Sequence, residues 1–295
     1  MRLRRSELST PGSNEKMIEK AAASAADLVF LDLEDSVAPK EKAAARAKVA
    51  TALKTLDWGK KTRAVRINNI ETPYAHEDVI QLFEEAADHL DVIIIPKVKS
   101  GRDVWWVDTL LNQLEAKHRK RRRIALEVLI EEVEALINAE EIARSSPRLE
   151  ALIFGPGDFS ASQGVRINAA RHYPGDLWHY ARNKIVVAAR AAGIEAVDGP
   201  YADFRNADGY REEATRSSIL GFIGKWAIHP SQIDIANDVY SPRQEEVERA
   251  RVLVKAYAQA EAEGLGAVAI SGVMVDAASV RILRNLLARA DLIGM

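Results

Sequence analysis

Two acids stand where an apolar chain has little reason to keep them. Glu127 interrupts the run IALEVLI, and Asp158 closes the turn Gly155-Pro156-Gly157-Asp158. An acid inside an apolar strand is costly unless it is paired or bound to a cation. Together Glu127 and Asp158 make an oxygen-only pair that suits Mg2+, or Mn2+. Mg2+ takes one or two carboxylates, keeps several waters and leaves positions for substrate oxygens. Zinc is not signalled, because the six histidines show no HExxH spacing and cysteine is absent. The glycines beside Asp158 let backbone amides approach a bound anion closely, which makes Gly155, Pro156 and Gly157 candidate binding residues.

Other charged residues also follow short apolar runs: Asp32-Leu33-Glu34-Asp35, Arg66-Ile67-Asn68, Pro96-Lys97, and Lys225 through Ile228-His229-Pro230. Each has a plainer reading. Asp35 or Asp158 can simply cap the next helix, and Arg66 can be a structural ion-pair partner of Glu34. The basic run Lys117–Arg123 has no interleaved aromatic residue and reads as a helix end and solvated loop, where cations suit the helix dipole. Trp105-Trp106 reads as packing.

The elements that would position these groups alternate regularly. Strand candidates are Leu28–Leu33, Thr62–Asn68, Val92–Ile95, Ile124–Ile130, Leu149–Phe154, Ile194–Val197 and Phe222–Ile228, with a weak first strand at Arg2–Leu8. Between them run amphipathic helices, such as the stripes Ala45-Val49-Ala52-Leu53-Leu56 and Trp178-Ala181-Ile185-Ala188-Ala192. Eight β-then-α units predict an α/β fold, a (β/α)8 TIM barrel over residues 1–240, with working groups at the strand C-termini. A doubly wound open sheet is the alternative, but no GxGxxG or GxxxxGK[ST] loop follows a strand. Residues 241–295 do not continue the repeat and read as a C-terminal helical and hairpin extension. A capping box at Ser241-Pro242-Arg243-Gln244 opens a helix, Ala267–Asp276 is extended, and a last helix begins near Ala277.

Composition narrows the function classes. The chain has 295 residues, 41 basic against 43 acidic, so no global field draws it to nucleic acid or membrane. With no cysteine, disulfides, thiolate metal sites and cysteine nucleophiles are excluded. No apolar stretch approaches the ~20 residues that span a bilayer, and the basic start MRLRRSEL lacks the apolar core of a secretory signal. A cytoplasmic enzyme is expected.

The segments RSELSTPGSNEKM, LDLEDSV, VRIN, IIIPKV, FGPGDFSAS, GKWAIHPSQI and GVMVD, in that order over nearly the whole chain, resemble the HpcH/HpaI aldolase superfamily. Within it the likeness is to the citrate lyase β-subunit-like, malyl-CoA lyase group. The resemblance implies a Mg2+-dependent barrel that cleaves or forms a C–C bond between an acyl-CoA and a 2-oxo acid. Malyl-CoA or β-methylmalyl-CoA would give glyoxylate and acetyl-CoA or propionyl-CoA. It implies Glu127 and Asp158 as metal ligands, Arg66 as the arginine on the oxo acid, and Glu34 and Asp35 as acids that hold metal-bound water. It also implies Asp276 as an acid–base group lent to a neighbouring subunit of a homotrimer or homohexamer. Arg5 and Lys16 fall where the family contacts coenzyme A phosphates, and Ile228, His229 and Pro230 join the substrate-binding set. Two departures stand out: Pro156 occupies a place expected to be smaller, and the segment 164–177 is shorter than in malyl-CoA lyases. A citramalyl-CoA lyase, a malyl-CoA thioesterase, a CoA-independent hydroxy-diacid aldolase and a non-catalytic RNA-binding relative are the competing readings.

Overall fold

The computed structural model describes residues 2–119, 123–166, 176–270 and 272–295. It divides into two compact units, Arg4–Asn237 and one built on Asp238–Met295. The first unit carries eight parallel strands: β1 Ser6–Pro11, β2 Leu28–Asp32, β3 Thr62–Arg66, β4 Val92–Ile95, β5 Ala125–Ile130, β6 Leu149–Phe154, β7 Glu195–Val197 and β8 Lys225–Ala227. Their hydrogen-bonded order is β7-β6-β5-β4-β3-β2-β1-β8, so β8 returns to pair with β1. A parallel bridge between Asp198 and Lys225 joins the two remaining edges. Around it, the Asp198 amide donates to Gly224 O at 2.8 Å and the Trp226 amide to Asp198 O at 2.9 Å. The ring closes as a (β/α)8 barrel, with helices between the strands.

Residues of one parity, Leu28, Phe30, Ala64, Val92, Ile94, Ala125, Leu129, Ala151, Ile153, Val197 and Trp226, pack together as the barrel interior. The intervening strand residues, such as Val29, Val65, Ile93 and Val128, are equally buried. Strands buried on both faces explain why the sequence shows continuous apolar runs instead of alternation.

Four expectations are corrected. The first strand runs Ser6–Pro11, not Arg2–Leu8, because chain pairing with β2 begins at Glu7 opposite Leu28. Trp105 is 56% exposed rather than packed. The helix expected after Ser241 begins at Gln244, with the Arg243 amide donating to Glu246 at 3.0 Å, so Arg243 and not Ser241 is its cap. The chain divides into its two units between residues 237 and 238, three residues before the expected boundary. The basic run ends the helix Gly101–His118, with Arg119 left-handed at φ 53°; residues 120–122 lie outside those described, as does 167–175 within the shortened segment.

The second unit holds the helix Gln244–Ala262, an antiparallel hairpin of β9 Ala267–Ile270 and β10 Val273–Asp276, and the helix Ala277–Leu292. Leu253, Tyr257, Val275 and Val280 form its core. Among the described residues no helix is long and apolar enough to cross a membrane.

The seam between β8 and β1 leaves no room beside Gly224, where an added Cβ would lie 1.7 Å from the Arg4 carbonyl oxygen. Gly224→Ala should therefore destabilise the protein by about 3 kcal/mol or more, since backbone and not a flexible side chain must yield. Urea unfolding of the two proteins checks this.

Candidate active site

The residues at the strand C-termini converge on one cluster. On β2 and β3, Asp32 and Arg66 are register partners. Arg66 Nε donates to Asp32 Oδ1 at 2.7 Å and Nη2 to Oδ2 at 2.8 Å, a bidentate fork. Its Nη1 lies 3.0 Å from Glu34 and 3.7 Å from Asp35. Burial alone would raise the Asp32 carboxyl, but the Arg66 charge and its hydrogen bonds hold it below the usual range. Asp32 also accepts the amides of Glu34 and Ser36, at 2.9 and 3.1 Å, which shapes the loop carrying Glu34 and Asp35. Arg66 was expected to pair with Glu34; it does, and its tighter partner is Asp32. Beneath it the Trp226 ring lies 5.7 Å away and closes the floor.

Lys97, two residues past β4, is the second cation. Its ammonium bonds Glu34 and lies 3.4 Å from Asp35 and 3.8 Å from Asp158. Its amide donates to Glu131 Oε1 at 2.8 Å. Glu131 follows directly on β5 and is almost fully buried. Burial, reinforced by the Asp158 charge, pushes its carboxyl up to about 8 against the pull of Arg66 and Lys97. Burial likewise raises Glu34. Gly155 is needed beside it, because a Cβ there would meet Glu131 Cβ at 2.5 Å and Oε2 at 2.8 Å. The Gly155 amide donates to Ile130 O at 3.1 Å, tying the β6 turn to the end of β5. Asp158 is the third residue of the helix Pro156–Ser162 rather than its cap, which is Gly155.

Glu127 is not part of this cluster. It shares its parity with Glu131 but sits two strand repeats deeper, opposite Ile94 and Ala151. There it accepts Arg4 Nε at 2.6 Å, with Glu7 3.8 Å from the same nitrogen and Glu150 on Arg4 Nη2. Trp226 Nε1 donates to Glu7 at 2.9 Å. Burial, then the Glu127 charge, drives the Glu7 carboxyl well above its usual range, while Arg4 and the Trp226 hydrogen bond pull against it. Pairing of Glu127 with Asp158 is thus corrected: the acid beside Asp158 is Glu131. Arg5 is corrected too. It precedes β1, at the opposite end of the barrel, and is clamped by Asp27 through its amide, Nε and Nη2 at 2.8–2.9 Å.

The remaining candidates divide by position. Lys16 is exposed near the start of the helix Glu15–Ala22, which follows the C-terminal end of β1. Ile228, His229 and Pro230 follow β8; His229 stacks on Phe204 with centroids 4.8 Å apart, and the Ile228 amide donates to Gln232 at 2.8 Å. Asp276 belongs to the other compact unit, where it caps the helix Ala277–Leu292. It accepts the Ser279 amide and hydroxyl at 2.8 Å each, and these bonds hold its carboxyl below the usual range.

Counted formally, the five acids Asp32, Glu34, Asp35, Glu131 and Asp158 face three cations: Arg66 and Lys97, which bond them, and Lys42, whose ammonium bonds the Leu33 and Glu34 carbonyls at 2.9 and 3.0 Å. Among the described residues no three His, Cys, Asp or Glu side chains form a complete ion cage. Two hard-oxygen carboxylates, Glu131 and Asp158, in a cluster with more acids than cations, would suit a divalent ion that keeps its own waters. Sequence reasoning missed Asp32, Lys97 and Glu131 as site residues. The signal was available, since each closes or follows a strand.

A sequence profile described as HpcH/HpaI aldolase/citrate lyase matches residues 5–230. The chain is 43% identical to an L-malyl-CoA/beta-methylmalyl-CoA lyase of Cereibacter sphaeroides, over 98% of this chain and 95% of that protein. It is 37% identical to a (3S)-malyl-CoA thioesterase of the same species, with the same two coverages. Its structure is similar to that of CitE from Mycobacterium tuberculosis in complex with magnesium, acetoacetate and coenzyme A, with a TM-score of 0.75, 29% identity and 98% of both chains covered. Profile, sequence and fold agree, and the chain belongs to the HpcH/HpaI aldolase/citrate lyase family.

Proposed function

We propose that the protein is a Mg2+-dependent carbon–carbon lyase that cleaves, or forms, a 3-hydroxyacyl-CoA such as malyl-CoA or β-methylmalyl-CoA, with glyoxylate and acetyl-CoA or propionyl-CoA as the other side of the reaction. The observation that carries this reading is the Glu131–Asp158 pair beside the Arg66 fork, in a chain so similar to a lyase of that name.

Glu131 and Asp158 would hold Mg2+, which supplies Lewis-acid polarisation of the substrate's carboxylate and hydroxyl oxygens. Asp32 fixes the guanidinium plane of Arg66, and Arg66 binds the oxo-acid end and stabilises negative charge developing on the reacting oxygen. Glu34 and Asp35 accept hydrogen bonds from water in the site. In the cleavage direction the β-hydroxyl passes its proton to that water and the Glu34–Asp35 carboxylates, the bond between the hydroxyl-bearing carbon and the carbon next to the thioester breaks, the oxygen's electron pair becomes the glyoxylate carbonyl, and an acetyl-CoA enolate leaves. Asp276 of a neighbouring subunit moves the proton at that enolate carbon. In the condensation direction its carboxylate, favoured by the hydrogen bonds from Ser279, takes the proton from acetyl-CoA, and in cleavage its acid form returns that proton to the enolate carbon. Lys16 and the Ile228–Pro230 turn contact the coenzyme A part. A homotrimer or homohexamer and a cytoplasmic location complete the proposal.

Glu131→Gln and Asp158→Asn should each weaken Mg2+ binding by about 10²-fold or more, read by calorimetry, and abolish release of acetyl-CoA and glyoxylate. Glu127→Gln should instead keep metal affinity and lose about 1–3 kcal/mol of stability, since Glu7 can take over the pairing with Arg4. Metal affinity lost in Glu127→Gln and kept in Glu131→Gln would reverse the assignment.

Arg66→Lys should lower kcat/KM by about 10²-fold or more, because an ammonium cannot reproduce a fork held by Asp32. Normal kinetics would reduce Arg66 to a structural ion pair.

Asp276→Ala should lower kcat by about 10²–10⁴-fold with metal affinity intact. Mixed oligomers of Asp276→Ala and Glu131→Gln subunits should regain activity. Verified mixed oligomers that regain none would remove the shared site.

A further inference from the structure

Lys97, in the turn after β4, has a backbone conformation that few lysines adopt. Its φ of 51° places a non-glycine residue in the left-handed region, at a cost of about 1 kcal/mol or more. That conformation lets one residue address two sets of acids. The amide meets Glu131 Oε1, while the side chain turns to Glu34 and Asp35 and stays 3.8 Å from Asp158. We infer that Lys97 is a specificity-determining residue of the metal site: its ammonium occupies Glu34 and Asp35, limits the protein's ligands to Glu131 and Asp158, and so selects Mg2+ over Ca2+. The inference rests on the proposal that Glu131 and Asp158 hold the metal.

The argument turns on ligand number. Mg2+ is octahedral, dehydrates reluctantly and is content with one or two carboxylates, whereas Ca2+ takes six to eight oxygens in flexible geometry and gains from every extra carboxylate. Glu34 and Asp35 reach the same ammonium that reaches Asp158, so without Lys97 they are two further carboxylates beside the ion, each held from one side by Arg66 at 3.0 and 3.7 Å and open on the other. Repulsion between the ammonium and a dication is common to both metals and cancels in their ratio. What survives in the ratio is access to Glu34 and Asp35.

The test is calorimetric titration of the full chain with MgCl2 and with CaCl2. Lys97→Met should tighten Ca2+ binding more than Mg2+ binding and lower the Mg2+ preference by about tenfold or more. Lys97→Arg, which keeps the charge, should stay within about threefold of the wild type for both ions. The double variant Glu34→Gln/Asp35→Asn removes the sequestered acids with Lys97 in place, and should keep the wild-type preference; adding Lys97→Met to it should change the ratio by less than about twofold. A Lys97→Met ratio within about twofold of wild type overturns the inference. Should Lys97→Met not fold, the Glu34→Gln/Asp35→Asn variant decides alone: a fall in Ca2+ affinity about threefold or more beyond the fall in Mg2+ affinity shows that these acids already ligate in the wild type and overturns the inference, and an unchanged ratio supports it. Wild-type protein that binds neither ion removes the Glu131–Asp158 reading itself, whereas wild-type Mg2+ binding with an unshifted Lys97→Met ratio removes only the role of Lys97.

Discussion

Like charge brought to one end of a barrel has to be balanced, and that need organises the mouth of this molecule. Five carboxylates meet at the ends of β2, β5 and β6, and the two cations that bond them are each held by more than one acid. Arg66 is locked by Asp32 before it meets anything else, so its orientation is set by the scaffold rather than by a ligand. A group fixed in advance spends nothing on reorganisation when charge develops beside it, which is where electrostatic catalysis gains its advantage. Burial is what raises the carboxyls of Glu131 and Glu34, and the neighbouring charges of Asp158 and Asp35 add to it.

The same economy recurs below the mouth and outside the ring. Arg4 serves Glu127, Glu7 and Glu150 at the barrel base. Arg182 serves Asp198, Asp176 and Glu213, and Lys225 meets Asp198 and Glu213 with no exposure at all. Buried ion pairs of this kind add little net stability over an apolar core, but breaking one leaves a stranded charge. They therefore fix register more than they strengthen. At the seam they do so where β7 and β8 share only a single bridge.

Much of this was legible in the residues. Apolar runs of four to six residues between helical stripes give eight strands and hence a barrel, and a barrel says that chemistry gathers at strand ends. Asp158, Arg66, Glu34 and Asp35 follow from that rule. Glu131 was missed because Glu127 is the more conspicuous acid, and the two have the same inward parity; alternation cannot separate residues four apart. Depth along the strand does, and depth depends on where pairing begins. Arg5 was misplaced for the same reason: a first strand beginning four residues later puts it at the other end of the barrel. The left-handed turn at Lys97 leaves no trace in sequence, since nothing marks a lysine for positive φ.

Closure by β8 against β1 has a temporal side. Glu7 and Trp226, which meet across that seam, are 219 residues apart. During synthesis at roughly 5–20 residues per second, the outer edge of β1 waits on the order of 10–40 s for its partner. Until then it offers unpaired amides and carbonyls to any passing strand. A ring sealed by its last strand is slow to form because the longest loop must close before its contacts repay the entropy. Glu7 on that edge is then an acid in water, free to ionise, and a charged edge resists stray pairing. Only when Trp226 arrives is the carboxyl shut away from water beside Arg4, so one side chain guards the open edge and is enclosed in the finished barrel.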